Sequence, residues 1–333
     1  MTSHTLINDR ALDELLVKNG FNGPYEIQKI GGGANNRVYC LEFPGRKLLA
    51  KHYFLHPNDT RDRIASEYFF ATFCWKQGVH SIAQPLASDY ASRWALFDYI
   101  DGKPVLNNIN EDLVIQAAEF FSAINHHRTV REALELPVAS EAYFSMPEHV
   151  AGLSRRVDRL KNINSQEIIN KEAEEFILVE LVPHWLRTIL KVDRTLAMSG
   201  RCLSPSDFGF HNAVINSSGT VRFFDFEYAG WDDPAKMICD FFCQPRIPVG
   251  RKYFETFVST ALENFPDMGD IVKRALALLP LYQVKWCCIL LNEFLAVSND
   301  RRVFSDASIE MEARKREQLQ KAKEFFQNIV PLS

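Results

Sequence analysis

Between Ser204 and Pro234 the chain reads SPSDFGFHNAVINSSGTVRFFDFEYAGWDDP. A short apolar run, AVIN, meets a Ser217-Ser218-Gly219 turn, and a second run, TVRFF, ends at Asp225. Two such runs around a glycine turn predict a β-hairpin. Asp207 precedes this hairpin, Asn212 follows Asp207 by five residues, and Asp225 lies thirteen further on. The fold must therefore place one acid and one amide on a loop before a hairpin, and a second acid at its exit.

That layout suits phosphoryl transfer. A loop acid can accept the proton of an attacking hydroxyl, which makes Asp207 the candidate base. Asn212 and Asp225 offer the hard oxygen ligands that Mg²⁺ takes while it sits on ATP phosphates. The D-x4-N…D spacing with its hairpin matches the catalytic loop and metal-binding Asp of the protein-kinase-like fold. Asp207-Phe208-Gly209 spells DFG, the usual form of the metal-binding motif. Context argues against that assignment. No D-x4-N lies the required distance upstream, and Arg201 to Ser206 does not read as a strand, whereas Asp225-Phe226-Glu227 follows one. Singly, each of these acids is an ordinary turn residue; the spacing is what gives them meaning.

The other half of such a site is present nearer the N-terminus. Ile27 to Phe43, IQKIGGGANNRVYCLEF, reads as strand, glycine turn, strand. Gly31, Gly32 and Gly33 let backbone N–H groups approach phosphates closely. This is neither GxGxxG nor a Walker A loop, and alone it would be only a hairpin. KLLAKHYF (Lys47 to Phe54) places Lys51 on a third strand, where it can pair with the α- and β-phosphates. A helix is expected over Arg61 to Val79, with Ile64, Phe69, Phe73 and Trp75 on its apolar face. Glu67, in its first turns, is placed to pair with Lys51. Trp94 to Val105 reads as a strand entering a Gly-Pro-marked linker, and the backbone at Asp98, Tyr99 and Ile100 is where an adenine edge would bond.

These segments together resemble the aminoglycoside phosphotransferase and choline kinase-like family of small-molecule kinases. GGGANNRVY is similar to that family's glycine loop, and FFDFEYAGWDDPAKMICDF resembles its xIDFExAGxGDPxxDLA signature, with Asp225, Glu227, Gly230, Asp233, Pro234 and Asp240 in register. The resemblance runs from Ile27 to about Phe242. It implies a bilobal α+β fold, with a small antiparallel sheet in the N-lobe and a mainly helical C-lobe. It implies ATP and Mg²⁺ as cofactors and a small-molecule hydroxyl as acceptor, on an amino alcohol, a sugar or an aminoglycoside-like compound. Carried over by position, Asp207 is the base, Asn212 and Asp225 are metal ligands, Lys51 and Glu67 anchor phosphate, and Asp240 is a structural acid. Glu227 and Asp233 are left open between backbone and substrate. Two departures stand out: Pro205 replaces the usual His two residues before the base, and Gly209-Phe210-His211 replaces a His-Pro-Gly run. The alternative is a nucleotide-binding pseudokinase or regulatory scaffold, whose only sequence support is Pro205.

The 333 residues suit two lobes. We place the boundary near Gly102 to Asn107, giving an N-lobe over 1–103 and a C-lobe over 104–333. A formal net charge of −4 without a basic tract gives nucleic-acid binding no electrostatic support. The seven cysteines are odd in number, scattered and without a CxxC pair, as expected of reduced core thiols in a cytoplasmic protein. The N-terminus lacks a charged-then-apolar signal pattern. No uninterrupted apolar run reaches the ~20 residues of a membrane span, and WCCILL is expected to be a buried helix segment. His126-His127 is expected at a helix C-terminus, and Ser308 to Val330 as a docking helix with Leu319, Ala322 and Phe326 on one stripe. Oligomeric state is not legible.

Overall fold

The computed structural model describes residues 9–31, 36–55, 61–106, 108–163, 167–198, 200–295 and 311–329. Helix α1 (Arg10–Lys18) starts at Asp9, whose carboxylate accepts from the N–H groups of Ala11 and Leu12. Strands β1 (Glu26–Gly31), β2 (Asn36–Phe43) and β3 (Arg46–Tyr53) follow as an antiparallel meander, with β2 and β3 in unbroken register from Asn36↔Tyr53 to Phe43↔Arg46. Helix α2 (Arg63–Lys76) then leads to β4 (Pro85–Asp89) and β5 (Trp94–Asp98), and the sheet order is β1-β2-β3-β5-β4.

Strand periodicity aims the functional lysine. Leu48 and Ala50 are buried with Leu12, Leu16 and Leu41 in a core beneath α1. Successive side chains alternate faces, so Lys51 points to the opposite face with Tyr53, which belongs to the larger core. Helix α2 buries Ile64, Glu67, Phe70, Ala71 and Cys74 along one stripe, the spacing of an amphipathic helix. Phe69, expected on that stripe, is instead 48% exposed, and its ring meets Tyr90. It lies about 100° round the helix from Phe70 and about 140° from Ile64.

The larger lobe is mainly helical: α3 (Glu111–His126), α4 (Arg131–Leu134), α5 (Met146–Leu160), α6 (Ile168–Phe176), α7 (Val182–Lys191), α8 (Pro234–Cys243), α9 (Phe254–Ala261), α10 (Met268–Leu290) and α11 (Met311–Gln327). A π-helical segment, Ile177–Leu181, joins α6 to α7. Five short strands complete the lobe. β6 (Lys103–Pro104), β8 (Ala213–Ile215) and β9 (Val221–Phe223) form one sheet, and β7 (Cys202–Ser204) pairs with β10 (Gly230–Asp232). The hairpin expected before Asp225 is β8–β9. The segment expected not to be a strand contains β7, because Leu203 and Cys202 pair with Trp231 and Asp232 across the lobe; a partner so distant in sequence leaves no local signal.

Helix α11 buries Leu319 and Ala322 and packs on α10, as a docking helix should; Val330 lies outside the described residues. His126 ends α3 and His127 caps it, their rings edge to face at 4.8 Å. One stretch, Met268–Phe294, is long and apolar enough to cross a membrane by length and composition, which a count of uninterrupted apolar residues does not reveal. It is the core helix of this lobe. It packs on α8, α11, α5 and α7, and it carries Arg274 and Lys285 in buried ion pairs.

Candidate functional site

Lys51 Nζ donates to both Glu67 oxygens at 2.8 Å and to Asp225 Oδ1 at 2.7 Å. One ammonium thus joins β3, α2 and the exit of the β8–β9 hairpin. Burial opposes the charge on Lys51, but the carboxylates of Asp225 and Glu67 outweigh it and hold the ammonium well above its usual range. Glu67 is itself fully used. Oε2 accepts from the Tyr53 hydroxyl at 2.7 Å, and Oε1 accepts from the Phe226 N–H at 3.3 Å. Asp225 adopts φ +70°, a left-handed conformation in which Asp is several-fold enriched. Phe226 turns inward against Phe70 and Phe120, anchoring this bend in the core.

Asp207 sits between β7 and a 3₁₀ turn at Phe210–Asn212. The loop is held from several sides. Asn125 on α3 accepts from Leu203 N–H at 2.8 Å and donates to Leu203 O at 3.0 Å. Ser206, at φ +67°, donates its N–H to Ser204 Oγ. Phe208 is buried against Phe120, Phe223 and Phe241, so the phenylalanine of the literal DFG is a core anchor. The Asp207 carboxylate, about a third exposed, meets His211 Nε2 at 3.1 Å. Burial pushes Asp207 up, but the hydrogen bond from His211, helped by Lys285 and Asn212, holds its carboxyl below the ordinary range. It is therefore an ionised acceptor at neutral pH.

Asn212 donates Nδ2 to the backbone O of Asp207 at 2.9 Å. A carbonyl accepts only from the NH₂ end, which fixes the amide orientation. Oδ1 then faces away and has no hydrogen bond among the described residues. Asp225 likewise uses Oδ1 on Lys51, and its side chain remains 28% exposed. An amide oxygen and a partly exposed carboxylate are the hard donors that suit Mg²⁺, which takes few protein ligands and fills its shell with phosphate and water. Among the described residues no group of three or more His, Cys, Asp or Glu could hold a metal without such help.

Gly31 ends β1 at an irregularity in the β1–β2 register and is exposed; Gly32 and Gly33 lie outside the described residues. Asp98 ends β5, where its N–H bonds Gln84 O at 2.9 Å and its carboxylate accepts from Arg46 at 2.7 Å. Tyr99 N–H reaches Lys47 O at 3.4 Å, and the Ile100 N–H makes no hydrogen bond among the described residues. Ile100 is thus the free donor of the three positions expected to meet adenine.

Glu227, Asp233 and Asp240 stood in the signature, but the partners that hold them carried no sequence signal. Asn36 donates to Glu227 Oε2 at 3.0 Å, and Arg63 Nε lies 3.6 Å from the same oxygen, so Glu227 ties β2 and α2 to the larger lobe. Burial and the nearby Asp225 push Glu227 up to about 7. Asp233, left open between backbone and substrate, caps α8 through Ala235 N–H and binds Arg274 and His149. Asp240 is bonded to Lys285 at 2.5 Å and lies 3.4 Å from Lys236, a structural acid in this geometry.

Solved structures share this architecture. An ethanolamine kinase from Plasmodium vivax is 14% identical with a TM-score of 0.61, the alignment covering 94% of this chain and 87% of that one. A choline/ethanolamine kinase family protein from Mesorhizobium loti is 16% identical with a TM-score of 0.58, covering 97% and 96%. A spectinomycin phosphotransferase, solved with ADP and spectinomycin, is 12% identical with a TM-score of 0.59, covering 97% and 100%. At these identities the likeness shows the fold, which is the bilobal protein-kinase-like one. A search of curated sequences found no match. The sequence profile of the phosphotransferase enzyme family matches residues 26–245, well over half of the chain. That span contains Lys51, Glu67, Asp207, Asn212 and Asp225, and the chain belongs to the phosphotransferase enzyme family.

Proposed function

We propose that this protein is a small-molecule kinase that transfers the γ-phosphoryl group of ATP directly to an alcohol. The observation that carries this reading is the single ammonium of Lys51 held between Glu67 at 2.8 Å and Asp225 at 2.7 Å. A lysine so placed is prepared for phosphate, and the Asp207–Asn212 loop supplies the base beside it. Asp207 orients the acceptor hydroxyl and takes its proton as the hydroxyl oxygen bonds to the γ-phosphorus. The bond from that phosphorus to the β–γ bridging oxygen breaks, and ADP leaves. Lys51 binds phosphate oxygens, and Ile100 N–H meets the adenine edge, with Gly31, Gly32 and Gly33 as the phosphate loop. Asn212 and Asp225 would hold Mg²⁺, which when bound neutralises phosphate charge. Positioning and charge neutralisation are most of what this reaction requires.

The pseudokinase alternative drew its support from Pro205. The loop there is braced by Asn125, Ser204 and His211 instead, so the missing side chain has replacements. Seven buried, free cysteines favour a reducing, cytoplasmic setting. Lobe boundaries near Gly102 to Asn107 fit β5 ending at Asp98 and β6 pairing with β8.

The test is transfer of labelled γ-phosphate into small molecules, with Asp207→Asn and Asp225→Asn as controls. We expect Asp207→Asn to lower kcat by about 10³-fold or more with Mg·ATP affinity near normal, and Asp225→Asn to weaken Mg·ATP binding. Unchanged transfer by Asp207→Asn would remove the proposed base.

A further inference from the structure

The charges around Asp207 constrain the acceptor. An acceptor that is itself a cation needs carboxylates left over to receive it. The acids of β10 and α8, and Glu141 with them, are each already matched by a cation of this chain. Asp240 holds Lys285 at 2.5 Å and Lys236 at 3.4 Å, and Asp232 holds Lys236 at 2.5 Å. Glu141 is paired with Arg156, and Asp233 with Arg274 at 2.6 Å. The positive charge, in contrast, is in excess on one side. From the last turn of α8 the chain from residue 241 to 254 has no acid and carries Arg246, Arg251 and Lys252, all exposed.

That segment is fastened to the catalytic loop. Gln244, at the end of α8, is only 1% exposed. A Cβ built on Gly209 would lie 3.1 Å from Gln244 Cγ, so the two loops are in contact. Gln244 Oε1 accepts from the N–H groups of Arg246 and Ile247, both at 3.0 Å, and Nε2 donates to Ile247 O. The loop therefore leaves Gln244 in a fixed direction beside the base. The Lys285 charge helps hold the Asp207 carboxyl down, and the charges of Arg251 and Lys285 both oppose the upward push of burial on Cys243 at the end of α8. The rim therefore begins two residues from a side chain that touches the catalytic loop.

Resting on the kinase reading above, we propose that the acceptor is an anionic alcohol, a hydroxyl compound bearing a carboxylate or a phosphate, recognised by the Arg246–Lys252 rim. This differs from choline, ethanolamine and the amino sugars, which would bring a cation where the described acids of β10 and α8 are already paired. A rim of one sign also raises the local concentration of an oppositely charged substrate, and that effect is screened by salt.

The experiment divides a small-molecule cell extract into pools retained by an anion exchanger, retained by a cation exchanger, and retained by neither. Each pool is incubated with labelled ATP, Mg²⁺ and the full-length protein. Label arising from the anionic pool alone supports the proposal. Phosphatase treatment of that pool beforehand abolishes labelling if the anion is a phosphate and spares it if it is a carboxylate. Label arising only from the cationic or unretained pools overturns the proposal and leaves the kinase reading intact. No label from any pool, with Mg·ATP binding confirmed by titration, overturns both. In the active pool, Arg246→Glu with Arg251→Glu should raise the acceptor KM by roughly 10-fold at low salt, with kcat and Mg·ATP affinity unchanged. The difference should shrink as salt is raised. An acceptor KM indifferent to this charge reversal would remove the rim from recognition.

Discussion

Removing the Glu67 carboxylate tests the centre of this arrangement most directly. Glu67 accepts two bonds from Lys51, one from the Tyr53 hydroxyl and one from the Phe226 N–H, and it is 3% exposed. Breaking a buried ion pair by deleting one partner costs about 3–5 kcal/mol, because the other charge stays buried. Lys51 retains Asp225 at 2.7 Å, which offsets part of that loss. Tyr53 and Phe226 each lose an acceptor, adding about 1 kcal/mol apiece. The sum for Glu67→Ala is about 4 kcal/mol. Glu67→Gln keeps the shape and one acceptor and should cost about 2 kcal/mol, a factor of about 30 in the folded-to-unfolded ratio. Urea unfolding at constant m-value measures both, and titration with Mg·ATP measures the second effect. With Glu67 gone, Lys51 is drawn to Asp225, the proposed metal ligand, so Mg·ATP should bind more weakly. A Glu67→Ala protein within 1 kcal/mol of the parent, with unaltered Mg·ATP affinity, would refute the claim that this pair organises the cleft.

Two further perturbations follow from buried detail. Burial pushes Glu141 up, but Arg156, with Lys285, draws its carboxyl down to about 2, so its folded-state pKa lies below its unfolded one. Its contribution is therefore fully present above the ordinary carboxylate pKa of about 4.3 and lost as pH falls toward 2. Allowing for its partial exposure, Glu141→Gln should cost about 1–2 kcal/mol at pH 7, with the gap from the parent narrowing as unfolding curves are repeated toward pH 3; a gap independent of pH would refute the assignment. Gly230 has φ +153°, and a Cβ there would lie 2.3 Å from Pro137 O and 2.7 Å from Ala139 N. Those are backbone atoms that cannot swing aside, so Gly230→Ala should cost about 2–4 kcal/mol in the same assay; a neutral result would mean that β10 can part from the 137–139 segment freely.

What could be read from the sequence and what could not divide along chain distance. Asp207, Asn212 and Asp225 were legible because their chemistry requires certain residue types at short, fixed spacing around a hairpin. Lys51 was legible because it follows apolar strand residues, and Glu67 because its helix comes next. The structure brings Lys51, Glu67 and Asp225 into contact and puts Asp207 against Asn212. The glycine loop is only partly described, so Gly31 alone of its three glycines can be placed. The contacts that stabilise these residues were not legible. Asn36 meets Glu227 across 191 residues, and Lys285 meets Asp240 across 45. Neither bond leaves any local pattern, since Glu227 and Asp240 stand in the signature but Asn36 and Lys285 are ordinary polar residues until the fold joins them. The same reason explains β7, whose three residues qualify as a strand only through β10.

Pro205 shows the asymmetry most clearly. The departure itself was visible, because it occupies one position of a short motif. Its compensation was not. Asn125 lies 78 residues before Leu203, and its two bonds to that backbone fix the strand that leads into the catalytic loop. His211 takes a position beside the base carboxylate at 3.1 Å. A missing brace in a sequence motif therefore says little about activity until the loop's own bonds have been traced. Here they leave Asp207 ionised and held, which is the condition the proposed proton transfer needs.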